Sequence, residues 1–504
     1  MTPSPHRRRA VGALVAATAA LLGSAACTTD DTASPTVVSS RPATSAATGT
    51  AMPDDTAASA GTAPDTADGP ADPIDWSACG TGLTCAQIAV PADPADPDGP
   101  TVEVAVTRRA ATGADVIGPL FVNPGGPGAA TRDLVAADWP SEVEAHFDII
   151  GVDPRGVGAS MPLRCGDDPA IDAFREVDAE PTTDAGRAEL VDAAAAIADA
   201  CGRTDAETLA TTTTAVHVAD LDAVRAALGS EQLSFAGFSY GTAIGQAYAA
   251  AHPDRVRALL LDGVIDPELD LIDLLEGQAL AIEAALDELD ARCRTAGACA
   301  TTDVVGTWDR VEAALTADPA GPGPAVLRLA TIAATYSSSG IDQLPEVLVA
   351  AERGELGPLE RLADRYVSLA DYAPYAAYVC RDLPHPDTVD GYLDEVARVG
   401  TTAPRLGPAV IAELLPCATW PEPSVGAPGP IAPDGLAPAL VIGNTGDRAT
   451  PLAWAQAVAA DLPGAALITV DTEGHTALLR SACVQRFAVA YLVDGTVPPA
   501  GTTC

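Results

Sequence analysis

Short apolar runs recur along the chain and predict the strands of a sheet. The clearest runs span residues 119–122, 147–152, 233–238, 256–261, 436–443 and 465–470. Runs of this length, bounded by glycine, proline or aspartate, are typical of strands that are buried on both faces. Residues 86–90 and 101–107 are predicted to form a hairpin before them. Because helical segments separate the later strands, the pattern indicates an α/β fold with a mostly parallel sheet.

Helical periodicity fills the intervals between these strands. Residues 181–230 are predicted to be largely helical, and further helices are expected over 242–251 and 477–492. Between residues 268 and 425 the rhythm of strands disappears. There, residues 271–289 and 308–315 have the pattern of amphipathic helices. The sequence therefore predicts that a helical lid is inserted into the sheet domain.

The N-terminus is predicted to direct export. Three arginines at residues 7–9 precede an apolar stretch that is too short to span a membrane, which indicates a signal peptide over residues 1–26. Ser24-Ala25-Ala26-Cys27 resembles a lipobox, so we expect Cys27 to be lipidated at the cell surface. Secretion without a lipid is the alternative. Residues 27–72 lack aromatic side chains and predict a disordered tether.

The remaining chain divides at the lid. Residues 73–267 are predicted to form the first part of the α/β core, residues 268–425 the helical lid, and residues 426–504 the C-terminal part of the core. The chain carries 69 acidic and 28 basic residues, for a net charge of −41. Because such a surface repels nucleic acid, we expect no nucleic-acid partner, and membrane contact only through the lipid anchor.

Cysteine usage fits an oxidising compartment. Lipidation of Cys27 would leave ten of the 11 cysteines, an even number that suits disulfide bridges. Proximity in the sequence predicts the bridges Cys79–Cys85 and Cys293–Cys299. These pairs lack the Cys/His spacing of a structural zinc site, and we expect neither a metal nor a cofactor.

The strongest chemical motif is Gly237-Phe238-Ser239-Tyr240-Gly241, which has the Gly-x-Ser-x-Gly form of a nucleophile elbow. A strand is predicted before it and a helix of small residues after it. A turn this sharp strains its central residue, and flanking glycines let the strand and the helix approach each other. We therefore expect Ser239 to be the nucleophile of a serine hydrolase.

The histidine base can be selected by its place in the chain. In an α/β-hydrolase the triad occurs in the order serine, acid, histidine, each residue following a strand. His475 follows the last predicted strand. The other histidines lie in the signal, before a strand, in or at the end of helices, or in the lid: His6, His146, His217, His252 and His385.

Two aspartates are candidates for the acid. Asp447 follows a predicted strand and stands 28 residues before His475, which leaves room for one helix and one strand. Asp262 also ends a strand, although Asp262-Gly263 suits a simple turn as well. We favour Asp447, which would fix the imidazole tautomer and stabilise the imidazolium. Asp262 remains the alternative.

The tetrahedral oxyanion needs two hydrogen-bond donors. The amide of Tyr240, directly after the nucleophile, is the expected first donor. The second is expected from the glycine-rich segment Asn123-Pro124-Gly125-Gly126-Pro127-Gly128 after a predicted strand, and we select Gly126.

Taken together, these motifs resemble those of the secreted tripeptidyl aminopeptidases, actinobacterial relatives of the proline iminopeptidases that include mycobacterial cell-envelope proteases. The segments that carry the resemblance are 123–128, 152–160, 237–241, 261–267, 446–451, 474–475 and the closing residues 483–504. The resemblance implies an α/β-hydrolase with a helical lid, in which Ser239, Asp447 and His475 are nucleophile, acid and base. It also implies the bridges Cys165–Cys201, Cys380–Cys417 and Cys483–Cys504.

We therefore expect a serine aminopeptidase that releases short peptides from the free N-termini of peptide or protein substrates. A carboxylesterase or lipase on the same fold, and a non-catalytic surface lipoprotein, are the alternatives. An aminopeptidase must hold the ammonium of its substrate, and a buried charge requires a partner. We expect Asp382 and Glu422, near the paired Cys380 and Cys417, to supply that carboxylate.

Overall fold

The computed structural model describes residues 74–165, 168–318, 321–426 and 435–504. The predicted signal peptide, Cys27 and the tether lie outside these residues. Within the described part of the chain, no helix is both long and apolar enough to cross a membrane.

A ten-stranded sheet forms the centre of the fold, with the strand order β1-β2-β3-β5-β4-β6-β7-β8-β9-β10. The pairs β1/β2, β2/β3 and β3/β5 are antiparallel, and all other neighbours are parallel. The strands are β1 (Ser77–Gly80), β2 (Leu83–Pro91), β3 (Thr101–Arg109), β4 (Gly118–Asn123), β5 (Phe147–Val152), β6 (Leu233–Phe238), β7 (Val256–Asp262), β8 (Leu440–Gly446), β9 (Ala466–Glu473) and β10 (Thr502–Thr503).

Helices cover both faces of this sheet. The helices that precede β7 in the chain are α1 (Arg132–Ala136), α2 (Ser141–His146), α3 (Asp168–Glu176), α4 (Asp184–Thr204), α5 (Ala206–Thr211), α6 (Thr214–Ala227), α7 (Tyr240–Ala251) and the 3₁₀ turn Pro253–Arg255. Alternate residues of β7 face opposite cores, since Leu259 packs with α6 and α7, whereas Leu260 packs with α1, α2 and the last helix. Burial on both faces explains why the central strands are continuous apolar runs.

The regular elements described between β7 and β8 are all helical. They are α8 (Leu271–Ala296), α9 (Val304–Ala317), α10 (Ala325–Thr335), α11 (Ser338–Glu352), α12 (Gly357–Val367), α13 (Tyr372–Asp382), α14 (Val389–Gly400), α15 (Gly407–Ala412) and the 3₁₀ turn Leu415–Thr419. This segment, hereafter the lid, has its own core around the fully buried Trp308, whose indole donates to Thr331. Helices α16 (Leu452–Asp461) and α17 (Ala482–Asp494) complete the sheet domain.

The mostly parallel α/β sheet is confirmed, and the structure adds two short edge strands, β1 and β10, to the predicted ones. The closing helix was expected from residue 477 but begins at Ala482. The reason is a buried carboxylate: Asp262 accepts hydrogen bonds from the amides of Ala477 and Leu478 at 2.9 and 2.7 Å, which holds these residues in a turn.

All five predicted disulfides are present: Cys79–Cys85, Cys165–Cys201, Cys293–Cys299, Cys380–Cys417 and Cys483–Cys504. Cys380–Cys417 ties α13 to the 3₁₀ turn at the end of the lid. Cys483–Cys504 ties the C-terminus to α17, and β10 pairs there with β9.

A buried ion pair fixes the loop after β5. Arg155 and Asp220 are each 1% exposed, and the guanidinium donates to both carboxylate oxygens, at 2.9 and 2.7 Å. Arg155 also donates to the carbonyls of Pro91 and Ala92, and its own carbonyl accepts from the hydroxyl of Tyr378 in α13. The side chain therefore joins β2, α6 and the lid.

We predict that Arg155→Met lowers the free energy of unfolding by about 3–5 kcal/mol, because Asp220 would be buried without its partner. Denaturant unfolding measures the loss. The double variant Arg155→Met/Asp220→Leu should lose less than the single variant, and an equal or larger loss would contradict this account of the pair.

Candidate active site

Ser239 lies at a strained turn between β6 and α7. Its backbone has φ 55° and ψ −128°, and residues other than glycine rarely adopt a positive φ. The flanking glycines are required because the neighbouring backbone leaves no room for a side chain. A Cβ on Gly237 would stand 2.3 Å from the carbonyl of Gly241, and one on Gly241 would stand 2.4 Å from the carbonyl of Asn123. The strand, turn and helix are thus a nucleophile elbow in geometry.

His475 and Asp447 form a hydrogen-bonded pair at the ends of β9 and β8. The Nδ1 atom of His475 lies 2.8 and 3.0 Å from the two carboxylate oxygens. Asp447 is 3% exposed and also accepts the amides of Ala449 and Thr450. Because Nδ1 contacts the carboxylate, Nε2 is the nitrogen left for another group. It is buried and bonds to no described residue.

Asp262, the alternative acid, has a different contact. Its side chain is fully buried and accepts the amides of Ala477 and Leu478, two and three residues after His475. Burial raises the pKa of Asp262 to about 6, although these two amides oppose the shift. The geometry therefore favours Asp447 as the partner of the imidazole. Asp262 instead holds the backbone of the loop that carries His475.

Sequence reasoning missed two polar groups that fix this loop. The hydroxyl of Thr450 donates to Asp447 at 2.9 Å, and the side-chain amide of Asn444 donates to the carbonyls of Gly474 and Thr476 on either side of His475. The contact of Thr450 had a signal in the motif Gly446-Asp447-Arg448-Ala449-Thr450-Pro451, because a threonine three residues after an aspartate is well placed for such a bond.

Tyr240 and Gly126 line the same cavity as Ser239. Tyr240 is the first residue of α7, so its amide has no acceptor within the helix. The glycine-rich loop after β4 packs tightly on the elbow, since a Cβ on Gly125 would lie 2.7 Å from the amide nitrogen of Tyr240. The next residue, Gly126, is exposed, and its amide donates to no described acceptor. Both residues were expected from the sequence to donate to the oxyanion, and that role stays a prediction.

A cavity of about 450 Å³ opens over the elbow. Ser239, His475, Tyr240 and Gly126 line it on the sheet side. The lid supplies most of the remaining wall, which is rich in tyrosine: Leu271, Leu274, Gln278, Tyr336, Tyr366, Leu369, Ala370, Tyr372, Tyr375, Val379, Leu383 and Glu413. Tyr336 lies edge-on to the ring of His475, with centroids 5.5 Å apart, and its carbonyl accepts the amide of His475.

Neither Asp382 nor Glu422 lines this cavity, which corrects our expectation for the amine-binding group. Asp382 is 3% exposed and accepts hydrogen bonds from the amide of Thr214 and, at 2.9 Å, from the hydroxyl of Tyr240. Burial raises the pKa of Asp382 to about 6. Glu422 pairs instead with Arg381 at 3.1 Å. The Cys380–Cys417 bridge does bring the two segments together, but the carboxylates of Asp382 and Glu422 bond to other groups.

The carboxylate that does line the cavity is Glu413, immediately after α15. Its carboxylate accepts the hydroxyl of Tyr366 at 3.1 Å, and its carbonyl accepts that of Tyr372 at 2.5 Å. Nothing in the local sequence singled out Glu413, because its surroundings come from α12 and α13, far along the chain. Among the described residues, no cluster of side chains could hold a metal ion.

Comparison with known proteins agrees with this geometry. A family model described as TAP-like protein matches residues 403–504. Serine protease Hip1 of Mycobacterium tuberculosis is 33% identical over 477 residues, which cover 86% of this chain and 91% of the relative. Carboxylesterase B of the same species is 34% identical over 448 residues, 83% and 86% of the two chains. Tripeptidyl aminopeptidase of Streptomyces lividans is 29% identical over 477 residues, 86% of each. The chain therefore belongs to the family of serine hydrolases with the α/β-hydrolase fold that includes Hip1.

Proposed function

We propose that this protein is a serine aminopeptidase that releases short peptides from free N-termini through an acyl-enzyme. The observation that carries the proposal is that Ser239, on a strained elbow, and His475, whose Nδ1 contacts Asp447, line one cavity that the lid walls. The names of the relatives Hip1 and tripeptidyl aminopeptidase support a peptide or protein substrate.

Each proposed role follows from an atom's position. His475 takes the proton of Ser239 at Nε2 as the oxygen attacks the scissile carbonyl, and then gives it to the leaving amine. Asp447 holds Nδ1–H and stabilises the imidazolium. The amides of Tyr240 and Gly126 would donate to the oxyanion. Because the loop and the elbow are packed against each other, these donors need no rearrangement when the charge develops.

The walls of the cavity favour an exopeptidase. The lid walls the space beside Ser239 with tyrosines and one carboxylate, and this wall would limit how many residues of a peptide can enter. A carboxylesterase is the second candidate, because carboxylesterase B matches the chain equally well and the wall is largely apolar. A carboxylate within that wall suits an amine better than an ester.

We further propose that the enzyme acts outside the cytoplasm, as a surface lipoprotein anchored at Cys27 or as a secreted protein. Five disulfides in the described chain support an oxidising compartment. The basic and apolar residues at the N-terminus support export. Growth with radiolabelled palmitate would label the wild-type protein but not Cys27→Ala, and labelling of both would contradict lipidation at Cys27.

Ser239→Ala should abolish labelling by a fluorophosphonate and lower the hydrolysis of peptide p-nitroanilides by several orders of magnitude, because no other group could form the acyl-enzyme. Circular dichroism checks that the variant is folded. Turnover equal to that of the wild type would remove Ser239 from the mechanism. Wild-type cleavage of simple esters only, with no cleavage of peptides, would instead favour the esterase.

Asp447→Asn should lower kcat by up to about 10⁴-fold while the protein stays folded, because the amide would favour the wrong imidazole tautomer. Asp262→Asn is the matched control. It keeps the size of a side chain beside the same loop and should lower kcat far less. Steady-state kinetics of both variants decides the matter, and the reverse ranking would make Asp262 the acid.

A further inference from the structure

Glu413 is a carboxylate without a cation of its own. Among the described residues its hydrogen-bond donor is the neutral hydroxyl of Tyr366, and no arginine or histidine lies within ion-pair distance. Arg175 lines the same cavity, but its guanidinium lies over the ring of Tyr372, 5.2 Å from the centroid. The lid therefore places one carboxylate that has no ion-pair partner among the described residues in the wall of the cavity.

The charge of Glu413, a half-buried side chain, would be stabilised by a cation. A carboxylate taken partly out of water loses hydration, which one phenol restores only in part. Accordingly, burial raises the pKa of Glu413, although Arg175 and Tyr366 oppose the shift. A substrate ammonium could donate charge-assisted hydrogen bonds to Glu413. The surrounding tyrosines could add cation–π attraction from their ring faces.

The position of Glu413 fits a short peptide. Tyr336 stands 5.5 Å from the ring of His475, Tyr366 stands 6.2 Å from Tyr336, and the hydroxyl of Tyr366 reaches Glu413. The carboxylate is thus separated from the imidazole by two aromatic rings. An extended peptide spans about 3.3–3.6 Å per residue, so a short peptide can follow this path along the wall.

We infer that Glu413 binds the free α-ammonium of the substrate and so sets how many residues are released from the N-terminus. The inference rests on the proposed aminopeptidase function. Glu413, and not Asp382 or Glu422, would then be the residue that gives a general serine hydrolase the specificity of an exopeptidase. Esters and N-blocked peptides, which lack the ammonium, would gain nothing from Glu413.

The pH dependence follows from the same contact. The titratable or charged groups that share a cavity wall with Glu413 are Arg175, Tyr240, Arg328, Tyr336, Tyr366, Tyr372, Tyr375, Arg448, His475 and Arg480. Of these, Arg328 is paired with Glu312, and Arg448 with Glu288 and Glu473. The guanidinium of Arg480 donates to the carbonyls of His475 and Thr476. As the pH falls through the raised pKa of Glu413, the carboxylate becomes neutral, so binding of the ammonium weakens in acid.

The test compares Glu413→Gln with the wild type on p-nitroanilides of one to four residues, each with a free or an acetylated N-terminus, and on p-nitrophenyl acetate. Glutamine keeps an acceptor for Tyr366 but removes the charge. We expect KM for the preferred free-amine substrate to rise about 10- to 100-fold with kcat little changed. Ester hydrolysis and fluorophosphonate labelling should stay within about twofold. Glu346→Gln, an exposed lid position outside the cavity, is the matched control and should behave as the wild type.

Equal changes for free and acetylated peptides, or no change for either, would overturn the role of Glu413 while leaving the peptidase intact. Ester hydrolysis without any peptide cleavage by the wild type would overturn the proposed function and the anchor together. If Glu413→Gln does not fold, the wild type itself decides. The ratio of kcat/KM for the free-amine peptide to that for the ester, in which the shared catalytic groups cancel, should fall as the pH is lowered. A flat ratio would refute the inference.

Discussion

The strained backbone of Ser239 is the constraint on which the rest of the site depends. A residue with φ near 55° persists only where its surroundings enforce it. Here the enforcement comes from three close contacts: α7 packs on β6 at Gly237, the end of β4 packs at Gly241, and the glycine-rich loop packs at Gly125. The same contacts hold Tyr240 and Gly126, the proposed oxyanion donors, in one cavity wall with Ser239. The strain at Ser239 and the placement of these two residues thus have one cause.

Two buried aspartates at the ends of neighbouring strands divide the positioning of His475 between them. Asp447 contacts the ring, whereas Asp262 contacts the backbone just after it. Both residues end buried strands, so their local sequences look alike, and only the contacts separate a carboxylate that orients an imidazole from one that shapes a loop. The distinction depends on which atom of the segment 475–478 each carboxylate reaches.

The sheet and the elbow could be predicted because their signals are local. Each central strand is a run of buried residues, and the elbow needs glycine at fixed offsets from Ser239. The lid could not be predicted in the same way. Asp382 and Glu422 were selected for their proximity to cysteines, and the bridge formed as expected, yet Asp382 turned toward Tyr240 and Glu422 toward Arg381. Glu413 owes its place to tyrosines dozens of residues away, and a sequence carries no local record of such contacts.

The hydrogen bond from Tyr240 to Asp382 makes the lid and the nucleophile elbow interdependent. Tyr240 directly follows the nucleophile, and its phenol is held by the last residue of α13, a lid helix that also walls the cavity. A lid exchanged wholesale for that of a relative would carry this acceptor away, and the phenol would be buried without a partner. Specificity and chemistry in this protein are therefore not separable modules, and a chimaera that redirects the first must keep α13 to preserve the second.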